Sequence, residues 1–274
     1  MLEGTSRPAV EGQLWRQQES IVTHDDVCYE KPHLKEVIVR VDFSAPIEDL
    51  GRKLPPKVKE AAIKAFPISE PKKIKAQELQ FGKGGLKHVE SELTEWDFYG
   101  RDREKRLAIH PMFLFVTYSA YSTFEVLKAD LTSVLTPLCQ SFAGMSASRV
   151  GLRYVNSIEK AAEPFVWDAY IDASLLGLLT RFADAAHVNR IFHIVEFRYD
   201  DVGVKFQFGL ANPDFPAHIR KPLFVLDLDG YSQGSQDLQE ILTNVDRAHE
   251  RIQDQFERSI TDEFRQVMRV RQSA

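Results

Sequence analysis

The feature that most constrains what this chain can fold into is an internal match. Phe115-Val116-Thr117-Tyr118-Ser119-Ala120-Tyr121-Ser122 and Val225-Leu226-Asp227-Leu228-Asp229-Gly230-Tyr231-Ser232 stand 110 residues apart. Each alternates as a strand does and leaves through Tyr-Ser toward a helix. At a similar offset Val39-Arg40-Val41 matches Leu152-Arg153-Tyr154, so Arg40 and Arg153 correspond. A fold that uses one β-α-β(3–4)-α unit twice accounts for both matches: a first half over residues 31–145 and a second over 146–274. Residues 1–30 carry Gly4, Pro8, Gly12 and scattered charges without a sustained period, and read as a loosely ordered arm.

Within the first half, Val37, Val39, Val41 and Phe43 share one face of a predicted strand, with Arg40 and Asp42 on the other. Ile47, Leu50, Leu54, Val58, Ala62 and Phe66 keep helical spacing, and Pro55-Pro56 divides them into two short helices. Strands follow at about 74–81, 90–99, 106–110 and 112–119. The Gly82–Gly85 run, Gly100-Arg101-Asp102 and His110-Pro111 separate them as hairpin turns. Ser122 and Glu125 have the spacing of a capping box, opening a helix striped by Phe124, Leu127, Leu131, Leu135, Leu138 and Phe142 and closed at Gly144. The second half predicts a strand over 150–156, a helical stretch over 165–182 and strands over 191–199, 204–210 and 223–229. A long amphipathic helix from Leu238 through Phe264 completes it. The class is α+β: two similar halves joined edge to edge in one curved antiparallel sheet with helices on one face. That element order is the one found in the saddle of TATA-binding protein or the grip of the START and Bet v 1 folds, and it carries no function by itself.

Composition narrows the function classes. With 43% hydrophobic residues the chain has material for a substantial core. Thirty-five Lys and Arg against 40 Asp and Glu leave a formal charge of −5, so no global positive field draws it to nucleic acid. Apolar runs such as 112–116 fall far short of the roughly 20 residues that span a bilayer, which predicts no membrane segment. Cys28 and Cys139 form no CxxC pair, and a reducing, cytoplasmic setting is the simplest expectation.

The most distinctive stretch is Gly151-Leu152-Arg153-Tyr154-Val155-Asn156. It resembles the Gly-Leu-Arg-Tyr-(Ile/Val)-Asn segment of a sporadically distributed family of uncharacterised bacterial proteins. The resemblance extends to a Pro-led approach into the first strand, Lys31-Pro32-His33-Leu34-Lys35-Glu36-Val37-Ile38, with His33 standing where that family has a second Pro. It also takes in the Tyr121–Phe124 helix start. The patchy distribution of that family implies a component of a mobile bacterial defence or toxin–antitoxin system.

The candidate ligand-binding residues are Arg153, Asn156, Arg40, Tyr121 and Tyr231. Arg153 is of the type that holds an anion, although pairing with a carboxylate such as Glu196 or Asp42 is the commoner use of such a residue. Regular alternation puts Arg153 and Asn156 on opposite faces. Asp227 and Asp229 share a strand face without a third ligand at fixed spacing, and the eight histidines form no HxH or HExxH pattern, so no metal or other cofactor is expected. His193 reads as a partly buried strand histidine. Gly82-Lys83-Gly84-Gly85 lacks the Walker order, and the serines lack a G-x-S-x-G context. Trp96, Phe98, Phe113, Phe115, Phe192, Phe206 and Phe208 supply either core or ligand-stacking surface. No catalytic constellation assembles from these residues. The expectation is therefore a non-enzymatic binding or regulatory protein with a protein partner or a second copy of itself. A sensor of an anionic or nucleotide-like small molecule in a sheet–helix cavity is the first alternative, and a saddle-type nucleic-acid binder, disfavoured by charge, the second.

Overall fold

The computed structural model describes residues 28–82, 85–159, 166–182, 187–199, 202–221 and 223–270, with side chains outside 76–91. Residues 1–27 of the 1–30 arm, the centre of the Gly82–Gly85 turn and the start of the 165–182 stretch lie outside the described residues. Nine described strands form one antiparallel sheet: β1 (Leu34–Phe43), β2 (Ile68–Gly82), β3 (Gly85–Tyr99), β4 (Lys105–His110), β5 (Phe113–Tyr118), β6 (Ala147–Glu159), β7 (Ile191–Arg198), β8 (Gly203–Ala211) and β9 (Leu223–Gln236). Their spatial order is β2-β3-β4-β5-β1-β6-β9-β8-β7. β1 therefore sits at the centre, pairing with β5 on one side and β6 on the other.

The alternation that defines these strands also sorts their side chains into two faces. Val37, Val39 and Val41 of β1, Leu114 and Val116 of β5, Leu152 of β6 and Leu226 and Leu228 of β9 are all buried. This face is covered by α1 (Pro56–Ala65), α2 (Phe124–Ser141), α4 (Leu238–Ser259) and α5 (Asp262–Met268). Val58 and Ala62 of α1, Leu127, Leu131 and Leu135 of α2, and Ile241, Val245 and Ile252 of α4 complete the core. The opposite face carries Arg40, Arg106, Arg149, Arg153, Asp227 and Asp229, all half-buried or exposed.

Local departures from the predicted elements have identifiable causes. α2 is capped by Thr123, whose side chain accepts from the Val126 N–H, and not by Ser122. Pro55-Pro56 leaves only a 3₁₀ turn at Glu48–Gly51 ahead of α1. The helical stretch expected up to Phe182 is reduced to a 3₁₀ turn at Ala173–Leu175 and the five-residue α3 (Gly177–Arg181). The last helix breaks at Ile260, which bridges to Ile171, and Thr261 then caps α5 while its hydroxyl bonds the Ala169 carbonyl. A tertiary contact thus interrupts a stripe whose periodicity continues across the break. β9 runs on to Gln236, well past the expected end at Asp229, which puts Tyr231 inside a strand.

Candidate functional site

The Gly151–Asn156 segment alternates between two sites, one on each face of the sheet. On the open face, the side chains of Arg40 (β1), Arg106 (β4), Arg149 and Arg153 (β6) converge around Ile38, Phe115, Thr117 and Gly151. Glu36 and Asp229 join them to line a concavity of about 390 Å³, within the usual range for small-ligand pockets. Gly151 leaves room for this packing: a Cβ here would lie 2.7 Å from an Nη of Arg149, so a larger residue would push that guanidinium aside.

Each guanidinium is held in place by an acid and, in three cases, by an aromatic ring. Arg153 donates through Nε and an Nη to Asp227 at 2.7 and 2.5 Å. Arg149 reaches Asp229 at 3.2 Å and lies 5.4 Å from the Tyr231 ring centre. Arg40 bonds Asp42 at 2.7 Å over Phe113, and Arg106 bonds Asp97 over Phe115. The partner of Arg153 is therefore neither Glu196 nor Asp42, because Asp227 lies on the adjoining strand and on the same face, two residues from Asp229, the residue directly opposite Arg153. The bidentate contact uses two of the five guanidinium donors, so the carboxylates orient the arginines without exhausting them. Burial raises the Asp229 carboxyl above the ordinary carboxylate range, against the lowering pull of Arg149 and Arg153.

Asn156 and Tyr121 point the other way. With Tyr154 and His249 they line a small cavity of about 100 Å³ between β6, the start of α2, α4 and residues 28–34. The Tyr154 hydroxyl lies 3.0 Å from that of Tyr121 and 3.1 Å from Nδ1 of His249, whose ring stacks on Phe124. Desolvation, reinforced by Tyr121, holds the Tyr154 phenol well above its ordinary pKa, so it stays protonated. This cavity is too small for a nucleotide-sized ligand, which needs several hundred Å³.

The five candidate residues thus separate: Arg40, Arg153 and Tyr231 belong to the open face, Asn156 and Tyr121 to the interior. The aromatic set divides likewise, with Phe98, Phe206 and Phe208 in the core and Phe113 and Phe115 on the open face. Arg106, Arg149 and His249 are site residues that motif reading passes over. His249 had a detectable signal, since it interrupts the apolar stripe of α4 between Val245 and Ile252. Arg106 and Arg149 join the site only through strand register. Among the described residues no group of three His, Cys, Asp or Glu side chains is placed to hold a metal ion, and no helix is long and apolar enough to cross a membrane. No protein-family model matches the chain, and no curated protein matches it significantly in sequence.

Proposed function

We propose that this chain is a non-enzymatic binding protein whose open sheet face grips a multivalent oxyanion, a phosphate or carboxylate group, in the four-arginine concavity. The observation that carries this reading is the convergence of four guanidinium groups, already oriented by their own carboxylates, on a space large enough for a ligand. Preorientation of this kind lowers the entropy lost on binding. A nucleic-acid track is less well supported, because Asp227, Asp229, Asp97 and Glu95 lie between the basic groups and would meet a phosphate backbone. The implied place in a bacterial defence or toxin–antitoxin system fits a binding role, with the anion either free or borne by a partner protein.

The same reading includes internal duplication. Its support is the central register: Arg40 pairs with Gly151 and Ile38 with Arg153. Exchanging matched residues of the two halves turns one of these pairs into the other, as a twofold axis between β1 and β6 requires.

The test is a thermal-shift and calorimetric titration with pyrophosphate, citrate and a Glu-rich peptide. A multivalent anion should stabilise the protein, and Arg153→Ala and Arg40→Ala should each weaken it roughly 10- to 100-fold, as expected for loss of one charged hydrogen-bond donor. Absence of stabilisation by every probe, or binding indifferent to both variants, overturns the reading. Stabilisation by the peptide alone assigns the anion to a protein partner.

A pH dependence follows. Protonation of Asp229 removes a negative charge from the lining and releases Arg149. Sulfate, whose own charge is constant over this range, should bind about tenfold more tightly as pH falls from neutral through the raised Asp229 pKa. Asp229→Asn should bind sulfate at neutral pH as tightly as the unmodified chain does in acid, with a nearly flat profile.

A further inference from the structure

The two edges of the sheet are built differently. β2 carries Pro71 and the lysines 72, 73 and 75, which are devices that block strand addition. β7 carries neither proline nor lysine, and its charged residues, Glu196 and Arg198, fall in its last three positions. Phe192, Ile194 and Val195 are 39, 57 and 40% exposed, and no described strand pairs with the outer side of β7. An eight-residue antiparallel edge leaves about four N–H and four C=O groups pointing outward.

We propose that β7 pairs antiparallel with β7 of a second copy of this chain, about a twofold axis at Val195. This joins two nine-stranded sheets into one. The occupant is argued from the self-complementarity of the strand. A twofold axis perpendicular to the sheet keeps the helices of both copies on the same side and pairs residues of like parity. Centred on Val195, it places Val195 opposite itself, Ile194 opposite Glu196, His193 opposite Phe197, Phe192 opposite Arg198, and Ile191 opposite Tyr199. The helix-side row is then apolar or aromatic throughout, the cross-strand composition that contributes most in antiparallel sheets. On the open side, Arg198 meets the Phe192 ring of the other copy, repeating the arginine-on-aromatic packing of Arg40 with Phe113 and Arg106 with Phe115. A register centred one residue earlier or later on the chain is worse. At Ile194 it sets Arg190 against Arg198, and at Glu196 it sets that carboxylate against itself. Both four-arginine concavities of the joined sheet open to the same side.

Sedimentation velocity on the full chain from about 1 to 100 µM reads the outcome. A species of twice the 31.3 kDa chain mass is expected. Ile194→Glu, at an exposed position that leaves the core untouched, sets a carboxylate against Glu196 of the second copy and should weaken dimerisation roughly tenfold or more, and Lys73→Glu on β2 should leave it unchanged. Val195→Cys should form a covalent dimer under mild oxidation where the unmodified chain, with Cys28 and Cys139, does not. A chain monomeric at 100 µM, whether or not its own residues cover β7, overturns the proposal. A dimer indifferent to Ile194→Glu does so as well. A dimer sensitive to Ile194→Glu whose Val195→Cys form does not cross-link overturns the register and with it the Val195 axis.

Discussion

Glu257→Ala should lower stability by about 3 kcal/mol, the loss typical of removing one partner from a buried charged pair. Glu257 is 2% exposed, at the last turn of α4. Its carboxylate accepts from the Tyr29 hydroxyl at 2.8 and 3.0 Å and from Nε of Arg265 at 2.9 Å. It therefore ties three separate pieces of chain: the segment before β1, α4 and α5. The backbone follows the same path, since Glu30 and Lys31 donate to the carbonyls of Arg269 and Met268. Truncation leaves a buried hydroxyl and a partly buried guanidinium without their shared acceptor. Glu257→Gln keeps acceptor capacity but loses the charge, and should fall between the two. Chemical denaturation with urea measures both variants, and an unchanged midpoint for Glu257→Ala would show that these three pieces hold together without the carboxylate.

Gly209→Ala should have a comparable effect, about 3 kcal/mol, but a local one. The residue has φ +145°, and a Cβ there would lie 2.0 Å from the carbonyl oxygen of Ile191 and 3.1 Å from Cα of Phe192. Both the conformation and the clash are with backbone, so neither is relieved by a rotamer change. Gly234→Ala is the control: φ is +119°, but no atom lies within 4 Å, so only the conformational cost of about 1–2 kcal/mol applies. Hydrogen exchange separates the cases. Gly209→Ala should lose protection across Ile191–Arg198 while β1 and β6 keep theirs, and Gly234→Ala should leave β7 protected.

Most of the sheet was legible because strand alternation is a local signal. Val37, Val39 and Val41 announce their buried face without reference to the rest of the chain. The β5 and β9 match is likewise in phase, with Val116 and Leu226 both buried. Beyond Ser119 and Asp229 the matched segments diverge, because β5 ends at Tyr118 while β9 continues. Tyr121 then turns into the interior and Tyr231 stays on the open face, so equal letters occupy unequal places. The arginine concavity was half legible. Arg40 and Arg153 stand out in the internal sequence match, whereas Arg106 and Arg149 depend on how β4 and β6 register against their neighbours, which no local pattern encodes. The break at Ile260 was hidden for the same reason: Ile171, which causes it, is 89 positions away in the chain.

The central position of β1 also bears on the order of events during synthesis. One of its flanks waits for β5, some 70 residues later, and the other for β6, more than 100 residues later. Until Ala147–Glu159 has left the ribosome, the row of valines that anchors the core belongs to an open edge. Closing such distant pairs is entropically slow. A nascent chain stalled between β5 and β6 should therefore be a good substrate for chaperones, and the completed one a poor substrate.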